Sequence, residues 1–392
     1  MRSLYIHVPF CQSKCSYCGF YSFVPNNGIK WVKLWLRALE LEIQRRELQL
    51  PMASLFIGGG TPTMLAPEDL AALFALLERS FIWQPAHRET EVEKTIEANP
   101  GTLDEVKIQT LRDGGINRIS LGVQSFDDNL LARLGRCHVC ADTYRSVEQL
   151  RRAGYKNINF DLMFGLPGQT LAIWQDTLRR AVDLGPTHLS LYALSLEPGT
   201  PLAKGMAERQ ISAFEPQTSE LPDQVFDLDD DQQADMYAWA VDYLKQQGYG
   251  RYEISNFCRE GYRCRHNWAT WQGENYWGLG PGAVSTIDGV RTQNAELPLY
   301  NYRLKHGQSP YLEKEILSWR QCVSEYVFLH LRTEEGIDRR DFGQRFGVAL
   351  EDIFGPIITK YIEKNVLRDN GDRLALEPAF FFTANTVLSD FM

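Results

Sequence analysis

SLYIHVPFCQSKCSYCGF, residues 3–20, runs from an apolar, β-prone stretch into three cysteines, Cys11, Cys15 and Cys18. The run SLYIHV (3–8) predicts a strand, and the cysteines fall in the loop that follows it. Spacings of three and two residues let three thiolates face one point. A zinc ion there asks for a fourth nitrogen or sulfur donor, and His7, inside the strand, is a poor candidate. A [4Fe–4S] cluster normally takes four cysteines, so three leave one iron open to a ligand. The bland alternative is three unrelated free thiols.

Outward from this loop the first half of the chain repeats one pattern. Further β-prone runs stand at 54–58, 93–98, 117–122, 157–164 and 188–196. Helical patterns separate them at 30–49, 67–80, 102–113, 127–135, 141–154 and 170–184. Trp31, Leu34, Trp35, Ala38 and Leu41 recur at helical spacing, and Pro67, Glu68 and Asp69 make a good helix opening. Six strand–helix units imply an α/β chain with a parallel sheet, curled into an open or closed barrel or doubly wound. The acidic stretch 205–231 reads as a surface loop, and a helix follows at 231–247. Residues 248–300 are rich in Gly, aromatics and Asn. The last stretch, from about 315, carries two or three helix-like runs and a short strand signal, GDRLALEP. The expected division is 1–300 for the barrel with its aromatic-rich extension and 301–392 for a small α-rich C-terminal domain.

In parallel barrels the C-terminal strand ends carry the active site. The cysteine loop follows the first strand, and Gly58-Gly59-Gly60-Thr61-Pro62 follows the second. Glu97 ends the third, Gln124 follows the fourth, and Asp161 lies towards the end of the fifth. A glycine triplet lets backbone N–H groups approach a carboxylate or phosphate, although GGGTP is equally readable as a plain turn.

Apolar residues make up 44% and charged residues 23%, which excludes a wholly disordered or fibrous chain. The net charge of −9 argues against a general nucleic-acid-coating role. No apolar run approaches the roughly 20 residues of a membrane helix. The N-terminus lacks a secretory pattern, so the expected location is the cytoplasm. Eight cysteines are too sparse for a disulfide scaffold. Cys137-x2-Cys140 has the spacing of a redox or zinc pair, but a structural or incidental role is the preferred reading. Asp227, Asp229, Asp230 and Asp231 lack the glycine and terminal glutamate of a calcium loop and read as a solvated helix start.

The cysteine triplet followed by GGGTP resembles the radical S-adenosylmethionine (SAM) superfamily. YIHVPFC (5–11), GGGTPT (58–63), GVQSF (122–126), DLMFGLPGQT (161–170) and YEISNF (252–257) narrow the resemblance to the branch of oxygen-independent coproporphyrinogen III oxidases. It covers nearly the whole chain and implies a partial (β/α)6 TIM-like barrel with a [4Fe–4S] cluster on Cys11, Cys15 and Cys18. It implies a SAM site with Tyr5 near the cluster and Gly59, Gly60 and Thr61 at the methionine amino group. Glu97, Gln124, Arg136 and Asp161 match the remaining positions. A carboxylate such as Asp161 can accept from ribose hydroxyls, and Arg136 can pair with the methionine carboxylate; a surface helix cation is the bland reading of Arg136.

The chain departs from the oxidases of that branch in two places. Phe20 stands where they have a further cysteine, and Tyr5 lies almost at the start, where they have an extension. Both features resemble the haem-chaperone family of the branch, the HemW type. So does Arg265-His266-Asn267-Trp268-Ala269-Thr270-Trp271, which matches the motif HNxxYW except that Thr270 replaces the tyrosine. The resemblance makes His266 the candidate haem contact; the bland reading is a hydrogen-bonded structural histidine. The implied function is a chaperone with a SAM-ligated cluster that carries haem as cargo to haem-requiring proteins, respiratory ones among them, with homodimerisation an open expectation. The alternative is a radical SAM enzyme, an oxidase or methyltransferase acting on a porphyrin or another heteroaromatic.

Overall fold

A computed structural model of the chain describes residues 2–46, 51–86, 91–212 and 230–392. Six parallel strands carry the first half: β1 (Ser3–Val8), β2 (Ser54–Gly59), β3 (Glu93–Ala98), β4 (Arg118–Gln124), β5 (Asn157–Phe164) and β6 (His188–Ala193). The helices between them are α1 (Gly28–Arg46), α2 (Pro67–Ser80), α3 (Glu105–Asp113), α4 (Asp128–Arg133), α5 (Cys140–Arg152) and α6 (Leu171–Asp183). Side chains alternate along each strand. Leu4, Ile6 and Val8 of β1, Ile119, Leu121 and Val123 of β4, and Phe160 and Leu162 of β5 are buried in the apolar core. The intervening positions, Tyr5 and His7, Ser120, Asn159 and Asp161, form the polar lining of the barrel lumen.

The helices start where local chemistry directs. Asp104, Asp127 and Thr170 each accept a backbone N–H from the first turn of α3, α4 and α6, caps worth about 1 kcal/mol apiece. Pro67 opens α2, with Glu68 and Asp69 in its first turn. Trp35 of α1 is fully buried and donates to the His7 carbonyl at 3.1 Å, fixing this helix against β1.

After β6 come α7 (Pro201–Ser212), α8 (Asp230–Gln246), β7 (Gly250–Arg251), β8 (Asn256–Cys258), α9 (Arg265–Trp271), β9 (Tyr276–Leu279), β10 (Val284–Ile287), β11 (Val290–Asn294), α10 (Leu297–Lys305) and β12 (Tyr311–Ile316). β8 pairs antiparallel with β6, and β7 pairs with β8. β9 lies parallel to β1 and leads through β10 and β11 to β12. The barrel strands thus belong to a twelve-stranded sheet among the described residues, and the barrel is partial.

The C-terminal part comprises α11 (Trp319–His330), β13 (Ile337–Asp338), α12 (Arg339–Phe346), α13 (Leu350–Glu363), β14 (Leu367–Asp369), β15 (Arg373–Leu376) and α14 (Ala384–Leu388). Its three strands form a small sheet in the order β13-β15-β14. Gly347, at φ 74°, closes α12 in the left-handed conformation that glycine accommodates without strain.

Three expectations change. The last barrel strand stops at Ala193 rather than 196, because residues 194–200 turn into α7. The first residues of the expected 205–231 loop belong to α7, since 205–212 continue its helix; 213–229, with Asp227 and Asp229, lie outside the described residues. Asp230 and Asp231 do open a helix. The division after residue 300 falls inside α10, and β12 still belongs to the barrel sheet.

Candidate metal and cofactor site

The cysteine loop is held at the C-terminal rim by its own backbone. Cys11 N donates to Phe23 O at 3.0 Å and Phe23 N to Pro9 O at 2.9 Å, closing the loop's two ends. Lys14 Nζ reaches across to Phe20 O (2.6 Å) and to Ser22 Oγ (2.9 Å). The far side rests on the turn after α4, where Ser16 N donates to Leu134 O at 3.1 Å. Cys11 is buried, Cys15 and Cys18 half-buried, and none is in a disulfide. Burial pushes the Cys18 thiol up, and the Phe20 N–H and the Lys14 charge pull it back.

The glycine triplet lies directly against this loop. Gly60 N donates to Val8 O and Thr61 N to Phe10 O, both at 2.7 Å. A Cβ on Gly60 would stand 2.5 Å from the Phe10 carbonyl oxygen and 3.0 Å from Cys11 Sγ. Gly59, at φ 115°, sits over the His7 ring, and its N–H donates to Glu97 Oε2 at 3.0 Å. Close approach therefore decides these glycines, which the plain-turn reading does not explain.

Arg136 lies on the turn between α4 and α5, half-buried, and not on a surface helix. Its guanidinium reaches Cys15 Sγ (3.6 Å), Asn99 Oδ1 (2.5 Å) and Gly122 O (2.7 Å), while Nε has no partner. A fixed cation against a thiol favours the thiolate, the form that binds metal. Asn99 also donates to Thr61 Oγ1 at 2.9 Å, joining the glycine-triplet turn to Arg136. Sequence reasoning missed Asn99; its place two residues beyond Glu97, at the same strand end, was the available signal.

The lumen carries the carboxylates. Asp161 accepts from Ser120 Oγ (3.0 Å) and Asn159 Nδ2 (2.9 Å). Asn159 Oδ1 bonds His188 Nδ1 (2.6 Å), whose Nε2 bonds Tyr252 OH (2.9 Å). Burial, then the neighbouring Asp161 charge, pushes Glu97 up to about 8. Burial also raises Tyr5, with Glu97 adding to it. Tyr5 OH bonds His7 Nδ1 at 3.0 Å, and His7 Nε2 donates to Tyr21 O at 2.8 Å. Both ring nitrogens of His7 are thus engaged, which removes it as a metal donor. Gln124, at φ 65°, ends β4 in the left-handed region that ordinary residues rarely adopt, a feature that clusters at ligand sites.

Glu97 gives a direct prediction. In the metal-free protein it keeps its proton at neutral pH. Its folded pKa stands above the ordinary 4.5, so its contribution to stability falls as pH rises from about 4.5 to about 8. Asp161→Asn removes the like charge and is expected to lower the Glu97 titration midpoint, read by carbon-detected NMR of glutamate-labelled protein. An unchanged midpoint would separate the two carboxylates.

Cys137 and Cys140 do not face a common point. Cys137 is exposed with its thiol 3.0 Å from Ser13 Oγ. Cys140 opens α5, and burial followed by Asp128 pushes its thiol up to about 12. His266 stands at the other end of the barrel from the cysteines. It is buried, its Nδ1 lies 3.3 Å from Ser54 Oγ at the start of β2, and its N–H donates to Glu93 at the start of β3. Its ring packs 5.2 Å from Phe56 and 6.4 Å from Tyr5.

The three cysteines suit a cluster better than one ion. Among the described residues no three His, Cys, Asp or Glu side chains converge closely enough for a single metal ion. A cubane spreads three thiolates over three different irons, so they stand farther apart than the ligands of one zinc.

The barrel with its cysteine loop and glycine triplet defines the class: the Radical SAM superfamily matches residues 5–181, and the HemN C-terminal domain matches 317–379. That superfamily implies a [4Fe–4S] cluster and SAM. The heme chaperone HemW of Bacillus subtilis is 33% identical over 397 residues, spanning 100% of this chain and 99% of that protein. HemW of Lactococcus lactis is 32% identical, spanning 100% and 97%. The chain belongs to the HemW family. Coproporphyrinogen III oxidase (HemN) from Escherichia coli shares the fold, with a TM-score of 0.82 at 23% identity over 100% of this chain and 89% of that one.

Proposed function

We propose that the protein is a haem chaperone: it binds haem and passes it to haem-requiring proteins, in the cytoplasm. The observation that carries this reading is the end-to-end match to HemW heme chaperones, with both chains covered almost completely. Phe20 supports it. Where the oxidases have a further cysteine, this loop presents an exposed phenyl ring with no sulfur to offer. No helix among the described residues is long and apolar enough to cross a membrane, so delivery to a membrane-bound recipient would be by docking.

In this reading Cys11, Cys15 and Cys18 hold the cluster, whose open iron supplies a coordination site for SAM and electron transfer to it. The chain's own residues do the rest. Arg136 stabilises the Cys15 thiolate and leaves Nε for the methionine carboxylate. Gly59, Gly60 and Thr61 keep the second strand's turn close enough to hold the methionine amino group. Asp161, fixed by Ser120 and Asn159, is oriented to accept from the ribose, and Glu97, Gln124 and Tyr5 line the same lumen.

The test is anaerobic incubation of the reconstituted protein with reductant, SAM and coproporphyrinogen III. No sustained formation of protoporphyrinogen is expected, and multiple turnovers would make the protein an oxidase. His266 remains the proposed haem contact. His266→Ala is expected to weaken haem binding about tenfold with iron and sulfide content unchanged. An unaltered Soret titration would remove His266 from the haem site.

A further inference from the structure

A cavity of about 490 Å3 lies at the N-terminal end of the barrel, opposite the cysteines. Its walls are the turns that lead into β4 and β5 and the loop that leads into α9. Such turns ordinarily serve stability, but this one is lined by Arg112, Lys156, Arg263 and Arg265 against only Glu91 and Glu93. That is an excess of cations in a chain of net charge −9.

The charges are not equally committed. Glu93 accepts from the backbone N–H groups of Arg265 (3.0 Å) and His266 (3.4 Å) at the start of α9. Arg263 is paired with Glu335 at 2.7 Å and lies over the Trp268 ring. Arg265 donates to Glu91 O at 2.5 Å. Arg112 and Lys156, by contrast, make no ion pair among the described residues. Between them in the wall stands Tyr155, only 7% exposed, whose hydroxyl has no hydrogen-bond partner. Arg112 is near enough to act on that hydroxyl electrostatically. A carboxylate fits: it pairs with Arg112 and Lys156, which are both exposed.

We infer that this cavity binds the carboxylate edge of the haem cargo, with Arg112 and Lys156 as its anchors. The inference rests on the haem-chaperone reading and adds a place to it. Haem carries two propionates on one edge, and two uncommitted cations line one wall. Glu93 links the cavity wall to the His266 backbone, so the proposed iron contact and the propionate anchors belong to one end of the barrel. The propionate anchors thereby lie at the opposite end of the barrel from the cysteine loop.

The experiment is an anaerobic titration of the cluster-loaded full chain with haem and, separately, with haem dimethyl ester, which lacks the two charges. Arg112→Glu/Lys156→Glu is expected to weaken haem binding about tenfold or more and to leave the dimethyl ester unaffected. Arg112, in the last turn of α3, and Lys156, in the turn before β5, are both exposed, and unchanged iron and sulfide content checks that the variants fold. Equal haem affinity in wild type and double variant would overturn the inference while leaving the chaperone reading standing. So would an equal loss for the ester, which would mean that charge at the propionates is not what is recognised. Failure of the wild type to bind either compound would take down both readings.

Discussion

Cys15→Ala is expected to leave the protein folded but unable to keep a [4Fe–4S] cluster. After anaerobic reconstitution, iron and sulfide should fall from about four of each per chain to background. The reason is geometric. Cys15 is the middle thiol of a loop tied at both ends, by Cys11 N to Phe23 O and by Lys14 to Phe20 and Ser22. No neighbouring donor can replace it. Cys137, the nearest by sequence to Arg136, is turned to Ser13, and both nitrogens of His7 are already bonded. Unchanged iron and sulfide in Cys15→Ala would mean that the metal sits elsewhere. Because the cysteine loop is at the surface and Cys15 is only half-buried, circular dichroism should show an unaltered fold.

The second large effect is expected from a single methyl group. In Gly60→Ala the new Cβ meets the Phe10 carbonyl oxygen at 2.5 Å and Cys11 Sγ at 3.0 Å. Phe10 is buried and backbone cannot rotate away as a side chain would, so either the turn or the cysteine loop must move. Overpacking of this kind costs about 1–3 kcal/mol, and the displaced group here is a proposed ligand. Cluster occupancy is therefore expected to drop about tenfold, along with a lower melting temperature. Gly355→Ala is the matched control. Nothing lies within 4 Å of its Cβ position, and it is inside helix α13. It precedes Pro356, which disfavours a Cβ in the helical region, so it should retain the cluster without a gain in stability. Full occupancy in Gly60→Ala would show that the approach of the two turns does not shape the site.

The sequence made some of this legible and hid the rest for physical reasons. The six barrel strands and their helices were readable because one face of each packs into a continuous apolar core, which writes itself as periodicity. Leu4, Ile6 and Val8 against Tyr5 and His7 show the alternation directly. The choice between a barrel and a doubly wound sheet was not readable, since it depends on which strands pair, and strands such as Asn256–Cys258 and Tyr276–Leu279, which flank the six, are separated from their barrel partners by many residues. Residues 248–316 gave little periodicity because their strands are short and their burial is shared with the barrel. The division after residue 300 missed for the same reason, as Tyr311–Ile316 is bound to the sheet by pairing rather than by a long apolar run.

At the site, the cysteines, Gly59, Gly60, Thr61 and Arg136 come together at one rim, with Glu97 and Asp161 lining the lumen below. Asn99, Asn159 and His188 were invisible beforehand: each matters through what it bonds, and a lone polar residue in a strand or turn carries no spacing signal. His266 was visible as a motif, but its place under the barrel, far from the cysteines, follows only from α9 contacting the starts of β2 and β3.

The central claim is that this chain carries haem, and a titration of the reconstituted wild-type protein with haem under anaerobic conditions tests it most directly. The account predicts a saturable Soret change with a one-to-one endpoint. A featureless, non-saturating response would contradict it.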